Sequence, residues 1–335
     1  MKVTYFERRP AFGCYSIERL FSEIRRALPP AIEATVVQCP TPEHTRWWLP
    51  RGLFIALRKA GVVNHIAGDI HYVALGLPRR RTIVTVHDLN LLDRLHGVRR
   101  ILFCWIYLSL PLRRARFITA ISEHTRERLE ALFPGLSGKI CVIPDCIPGD
   151  YVPAPKRLNK RLPRILQVGT RPNKNLERVI EALEGQPCIL HIVGQLASEQ
   201  KRLLSQHNIT FENDVGLSDA EILKAYQAAD ILTFVSLNEG FGMPILEAQA
   251  IGRAVLTSDL SPMKEVAGSA ACKVDPNDVR EIRRGLRRLI EDDAYRELLI
   301  GEGFENVTRY SATAVAGQYA ALYRSIYLDE GKSVN

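Results

Sequence analysis

Twelve short runs rich in β-branched residues alternate with helix-patterned stretches from one end of the chain to the other, and this alternation constrains the fold more than any other feature. In the first half the runs predict strands at Val3–Glu7, Ile32–Gln38, His65–Ala67, Thr82–Val86, Phe117–Ala120 and Ile140–Ile143. In the second half they predict strands at Arg164–Val168, Ile189–Val193, Thr210–Glu212, Ile231–Val235, Ala254–Thr257 and Ala271–Val274. Helical patterns lie between them at Tyr15–Leu28, Ser122–Leu132, Leu176–Leu183, Asp219–Ala229 and Val279–Ile290. Strand–helix alternation of this kind requires parallel sheets with helices on both faces, because a parallel connection needs a crossover. Each half reads as the same doubly wound unit.

Pro144–Pro163 interrupts the pattern with five prolines and a basic cluster, which predicts an interdomain linker. The expected division is therefore 1–150, 151–311 and a terminal helical stretch, 312–335, which follows the second domain's last helices and is a candidate to pack back on the first domain. Its length of 335 residues agrees with two domains. Two such domains on a linker leave a cleft in which ligands bind at strand C-termini.

Apolar residues at 46% and charged residues at 24% exclude a disordered or collagen-like chain. The longest apolar run, Ile101–Leu112, is too short to span a bilayer and is interrupted by Ser109 and Pro111. It reads as a buried helix whose flanking arginines are solvated. The N-terminus turns charged by Glu7, unlike a signal peptide. Seven cysteines (14, 39, 104, 141, 146, 188, 272), with no C-x-x-C, suggest reduced and mostly buried thiols in a cytoplasmic protein. The net charge of +8 is unevenly placed. Residues 1–160 hold 25 Lys and Arg against 13 Asp and Glu, a balance of +12, while residues 161–335 hold 20 against 24, a balance of −4. The basic half favours anionic partners. Arg46-Trp47-Trp48 and the cluster Arg99, Arg100, Arg113, Arg114 and Arg116 suggest contact with a membrane surface.

Three stretches could carry chemistry. Asn238-Glu239-Gly240-Phe241-Gly242-Met243-Pro244-Ile245-Leu246-Glu247 follows the apolar strand ILTFVS and opens a helix. Gly240 and Gly242 permit close backbone approach, Pro244 suits a helix start, and the amides there form an anion or sugar-hydroxyl site. Glu239 stands at the loop mouth, with Glu247 expected in the first helical turn. Glu247 alone could simply complement the helix dipole, but a plain turn does not need two carboxylates around two glycines. The second stretch is Gly169-Thr170-Arg171-Pro172-Asn173-Lys174, again between strand and helix. Cations at a helix start are disfavoured unless an anion lies between, so Arg171 and Lys174 point to a diphosphate, the alternative being a solvated turn whose lysine reaches water. The third is His87-Asp88 at the end of TIVTV, read either as a cleft-facing group or as a satisfied buried histidine. Gly13, Asp69 and His71 could line the same cleft, and Ser122 reads as a helix N-cap.

There is no G-x-G-x-x-G after a strand and no Walker-type loop, which argues against a dinucleotide dehydrogenase or a P-loop enzyme. No D-x-D pair is present to hold a metal-bound nucleotide sugar, and no metal-ligand spacing occurs.

Taken together these residues resemble the retaining glycosyltransferases of family 4, with the GT-B fold of two Rossmann-like doubly wound domains facing a central cleft. EGFGMPILE matches that family's E-x7-E signature, and TVHDL, ISEHTRERL and VIPD carry the likeness in the first half. The resemblance implies an acceptor-binding first domain and a nucleotide-sugar-binding second domain. Glu247 would bind the ribose hydroxyls. Glu239 with the amides of Gly240, Phe241 and Gly242 would hold the sugar hydroxyls and phosphates, next to Met243. Arg171 and Lys174 would neutralise the diphosphate, and His87 would contact the donor sugar. Val215, Gly216 and Leu217 would lie near the base. Thr170 stands where many relatives carry arginine, and a Gly-rich phosphate loop is reduced here to Gly13.

The implied activity is metal-independent hexosyl transfer with retention, from a donor such as GDP-mannose or a UDP-sugar to a glycan or lipid-linked acceptor, in polysaccharide or glycolipid assembly. No cofactor beyond the donor substrate is expected and no nucleic acid partner, with the protein cytoplasmic or peripheral to the inner membrane face. The competing readings are a sugar-nucleotide epimerase or phosphorylase of the same fold, and a non-enzymatic basic protein binding membrane or nucleic acid.

Overall fold

The computed structural model describes residues 1–9, 16–41, 47–89, 92, 97, 100 and 103–332. Its strands are β1 (Lys2–Arg8), β2 (Glu33–Cys39), β3 (Val63–Ala67), β4 (Thr82–Val86), β5 (Phe117–Ala120), β6 (Ile140–Val142), β7 (Arg164–Val168), β8 (Ile189–Val193), β9 (Phe211–Asp214), β10 (Ile231–Phe234), β11 (Ala254–Ser258) and β12 (Cys272–Val274). Each falls on one of the twelve expected runs, with ends moved by at most two residues. The α-helices are α1 (Ser16–Arg26), α2 (Trp48–Lys59), α3 (Leu110–Arg114), α4 (Glu123–Leu132), α5 (Leu176–Leu183), α6 (Ser198–Gln206), α7 (Asp219–Ala228), α8 (Met243–Ile251), α9 (Met263–Ala267), α10 (Val279–Glu291), α11 (Asp293–Thr308) and α12 (Ala312–Lys332).

The chain divides into two compact units, one made of Met1–Pro148 with the segment from Ser311 onward, the other of Gly149–Tyr310. Each carries a parallel six-stranded sheet, and the two sheets are not wound alike. The first has the order β2-β1-β3-β4-β5-β6, the second β12-β11-β10-β7-β8-β9. The winding reverses after two strands in the first unit and after three in the second. The expectation of one repeated unit is corrected accordingly: strand positions are set by local patterning, whereas strand order depends on which edge each crossover returns to. The reversal matters because ligand crevices open outside the carboxyl ends of the strands that flank it. Those strands are β1 and β3 in one unit, β7 and β10 in the other.

In the second unit Ile165, Leu190, Ile231 and Leu256 from the sheet pack against Leu176, Val179, Ile180 and Leu183 of α5 and Ile282, Leu286 and Leu289 of α10. In the first unit α12 packs on the sheet with Val315, Ala316, Tyr319, Ala320, Tyr323 and Ile326, a helical stripe set against Tyr5, Phe21, Val63 and Ile83. Its tyrosines enter a buried polar chain. Tyr323 Oη lies 2.7 Å from both Tyr5 Oη and His65 Nδ1, and His65 Nε2 lies 2.7 Å from Thr85 Oγ1. Burial depresses the His65 pKa to about 3, so the ring is neutral and its bonds hold α12 in register.

The proline-rich segment is not a free tether. Cys146 belongs to the first unit's core, while beyond the break Tyr151 is buried and Arg253 Nη2 donates to Ala154 O at 2.8 Å. Lys156 and Lys160 then pair with Asp230 at 2.8 Å and Asp293 at 2.7 Å, which lays the segment along the second unit.

The Ile101–Leu112 expectation also needs correction over the described residues. Phe103 onward is helical, but only one face is buried. Leu108 and Leu112 lie in the core, while Trp105 is 58% exposed and Ile106 and Leu110 are also exposed. Pro111 has no N–H to give, and the chain enters it through a π-turn at Cys104–Ser109 in which Leu110 N donates to Trp105 O. Arg100, Arg113, Arg114 and Arg116 are exposed, whereas Arg46 and Arg99 lie outside the described residues. Among the described residues no helix is long and apolar enough to cross a membrane, and the six described cysteines are free.

Candidate functional site

The second unit builds its crevice from the two loops that leave β7 and β10. After β7, Gly169 adopts φ +91°, a conformation open to glycine. A Cβ there would lie 2.9 Å from Cγ and Cε of Lys174, so glycine lets the lysine stem fold back across the strand end. Pro172–Lys174 form a 3₁₀ turn, and Asn175, at φ 59°, starts α5 while its Nδ2 donates to Val235 O at 3.0 Å and Pro276 O at 2.7 Å. Buried Gln167 donates to Lys174 O at 3.1 Å and fixes the turn from beneath.

The two predicted motifs meet here, 65 residues apart in sequence. Lys174 Nζ donates to Glu239 Oε1 at 2.6 Å, both side chains mostly buried at 19% and 15% exposure, and the ammonium sits 4.7 Å from the centre of the Phe234 ring. Asn173 Nδ2 donates to the same Glu239 oxygen at 3.3 Å and to Asn238 O at 2.9 Å, while Leu237 N donates to Asn173 O at 2.8 Å. Arg171 is exposed, with no ion pair among the described residues. Thr170 is turned to structural work: its hydroxyl donates to Gln195 O at 2.6 Å, and its carbonyl accepts from Gln200 Nε2 at 2.8 Å.

The loop 238–242 leads into α8 through Gly242 at φ +125°, with Phe241 buried edge-on against Tyr310. Met243 is the first helical residue and Pro244 the second, where a missing N–H costs nothing. Glu247 is therefore the fifth residue of α8 and lies beyond its first turn, which corrects its expected placement and removes helix-dipole compensation as its explanation. Its Oε2 instead accepts from Tyr226 Oη at 2.6 Å. Burial first, then the neighbouring carboxylate, pushes the Tyr226 pKa well above the ordinary phenol value, so the hydroxyl stays a donor. Around Glu247 the helix is buried, at Ile245, Leu246 and Ala248–Ile251, so this half-buried carboxylate is the polar opening in an apolar helix. Val215 and Gly216, the latter at φ +72°, form an exposed turn, with Leu217 half-buried before the Ser218–Glu221 capping box of α7.

In the first unit His87 follows β4 and is 8% exposed. Its Nδ1 lies 3.6 Å from Asp145 Oδ1, its ring meets Phe21 edge-on, and its buried Nε2 has no hydrogen-bond partner among the described residues. Burial works to lower its pKa, but the carboxylates of Asp145, Asp69 and Asp88 outweigh this and hold it above the ordinary value. Among the described residues one ring nitrogen is thus left without the partner that buried polar atoms nearly always have, unlike a satisfied core histidine. His71 is the contrasting case: buried, its Nε2 3.2 Å from Thr85 O, its pKa lowered chiefly by burial. Asp69 is exposed and lies 3.8 Å from Arg8. Ser122 caps α4, accepting from Thr125 N at 3.1 Å. Gly13 lies outside the described residues.

Three positioning residues escaped sequence reasoning. Asp145 was within reach, since it ends the VIPD motif at the close of β6. Tyr226 carried no signal, because it lies in no patterned cassette, and Asn173, although inside the Gly169–Lys174 stretch, showed no role because its partners Asn238 and Glu239 lie 65 and 66 residues along the chain.

Two six-stranded parallel sheets with helices, bearing paired acidic and basic groups at the strand ends, define a GT-B α/β protein. The family model described as "Glycosyltransferase Family 4" matches residues 17–150, and "Glycosyl transferases group 1" matches residues 152–305. Between them the two models take in all but the ends of the chain. The chain belongs to glycosyltransferase family 4, and it is a glycosyltransferase. It is 26% identical over 267 residues to O-antigen chain mannosyltransferase B of Escherichia coli, covering 70% of this chain and 68% of that protein. It is 23% identical over 256 residues to O-antigen chain mannosyltransferase RfbU of Salmonella typhimurium, covering 72% and 70%. Among solved structures, Anabaena HepE in complex with UDP and glucose superposes with a TM-score of 0.77 at 14% identity, over 97% of this chain and all of that one, a likeness of fold.

Proposed function

We propose that this protein transfers mannose from a nucleotide-diphosphate sugar to a hydroxyl of a glycan or lipid-linked acceptor in polysaccharide assembly, with retention of configuration and without a metal ion. The observation that carries the reading is the Lys174–Glu239 pair at the β7/β10 reversal, beside the loop that opens α8. The mannosyl group is supported by the names of the two curated relatives, both O-antigen chain mannosyltransferases.

Lys174, with Arg171 at the loop tip, takes up charge growing on the leaving diphosphate, the part a metal ion would otherwise play. Glu247, oriented by Tyr226, accepts hydrogen bonds from the ribose hydroxyls. Glu239 and the amides of Gly240, Phe241, Gly242 and Met243 hold the sugar and phosphates. Val215, Gly216 and Leu217 flank the base with backbone groups, and Thr170 shapes the loop. The bond from C1 to the diphosphate oxygen breaks, the acceptor oxygen bonds to C1 on the same face, and the departing phosphate oxygen takes the acceptor's proton. His87 Nε2 supplies a hydrogen bond to a substrate oxygen. On the first unit, exposed Trp47, Phe54, Trp105 and Leu110 alongside Arg113 and Arg114 suit contact with the membrane that carries a lipid-linked acceptor at the cytoplasmic face.

Calorimetric titration with GDP, UDP and ADP, without added metal, tests the donor site. One nucleotide should bind, and more weakly to Glu247→Ala. Its release from the matching sugar nucleotide should require acceptor. Release without acceptor would overturn transfer, and failure of a folded protein to bind any of the three would overturn the site.

A further inference from the structure

The first unit has a second concave feature at the opposite edge of its sheet from His87. Because β4, β5 and β6 are parallel and adjacent, the residues entering them share one edge. There Arg79, Arg80, Ala115, Arg116, Phe117, Gly138 and Lys139 line a cavity of about 440 Å³, within the size range of small-ligand sites. A full strand separates it from His87: β4 has five residues, or about 16 Å at roughly 3.3 Å each.

Four of the seven lining residues are cations and none is a carboxylate. A merely solvated basic face would let every long side chain turn outward to water. Lys139 does not: its ammonium is held inward by Arg113 O at 2.9 Å and Ala115 O at 3.1 Å, which leaves one N–H. Arg116 lies over the Phe117 ring, 5.4 Å from its centre. Burial, then the charges of Arg79, Arg116 and Arg113, lower the Lys139 pKa, a repulsion that a bound anion would relieve.

We propose that this cavity binds a phosphate group, whose several acceptor oxygens suit forked guanidinium donors around a fixed ammonium. The phosphate belongs either to a soluble ester or to the headgroup of an anionic lipid. In either case this is a point of attachment one strand length from the strand-end site, and it does not depend on the donor reading.

The test compares Arg79→Ala/Arg80→Ala with Arg58→Ala/Lys59→Ala, which removes equal charge from exposed positions on α2. Both pairs are made in a Lys174→Ala background so that the other proposed phosphate site is weakened. Each protein is titrated with pyrophosphate and sedimented with phosphatidylglycerol or phosphatidylcholine vesicles, and thermal melts confirm folding. The expected result is an affinity loss of about tenfold or more for the first pair only. Loss towards pyrophosphate identifies a soluble ester; loss confined to phosphatidylglycerol vesicles identifies a lipid headgroup. Equal losses in the two pairs would show a diffuse basic surface, and no loss in either would show no site; each overturns the proposal.

Discussion

The two units treat their strand ends in opposite ways. In the second, each carboxylate of the candidate site already has a donor: Glu239 has Lys174 and Asn173, and Glu247 has Tyr226. In the first, His87 keeps a buried Nε2 that has no partner among the described residues, its charge supported by Asp145 at 3.6 Å. Among the described residues one site is satisfied before any ligand arrives and the other keeps an unpartnered ring nitrogen. Preorganised groups need little rearrangement when charge develops, whereas an unpartnered buried nitrogen stores an unmet hydrogen bond that a substrate oxygen can supply.

The largest effect should come from breaking the satisfied side. Lys174→Ala removes the cation proposed to face the leaving diphosphate and takes the ammonium from Glu239, so kcat should fall by about 10³-fold with a smaller change in KM. Steady-state kinetics in which KM alone rises would place Lys174 in ground-state binding only. A milder break is Tyr226→Phe, which removes the hydroxyl that orients Glu247 and should weaken nucleotide affinity by about tenfold. Unchanged affinity by calorimetry would mean that Glu247 is held by its helix alone.

The smallest effect sharpens the first unit's side. Because the His87 pKa is raised, the stabilisation from its charged form is complete below the ordinary histidine value of about 6.5 and is lost as pH rises through the raised value. The melting temperature should therefore decline across that window, and Asp145→Asn should flatten the decline. An identical slope in the variant would show that Asp145 does not support the charge.

Strand positions were legible because buried parallel strands are β-branched runs bounded by turn residues, a signal that needs no knowledge of the partner strand. The Gly-rich loops were legible because glycine at positive φ leaves a compositional mark, as at Gly169 and Gly242. The exposure of Trp105 and Leu110 was hidden in a run apolar on every side, where pattern alone cannot say which face meets the core. Asp145 stood in a motif without its role being evident, and Tyr226 stood in none.

The amino-acid sequence by itself determined where the chain becomes strand or helix, which loops carry glycine, and which glutamates and lysine stand in them, because these depend on neighbours a few residues away. The tertiary structure alone decided that one sheet reverses after two strands and the other after three, that α12 returns to the first unit through Tyr323 and His65, and that Lys174 meets Glu239. Those outcomes rest on which surfaces bury together once crossovers close, and contacts across 65 or 258 residues leave no local trace.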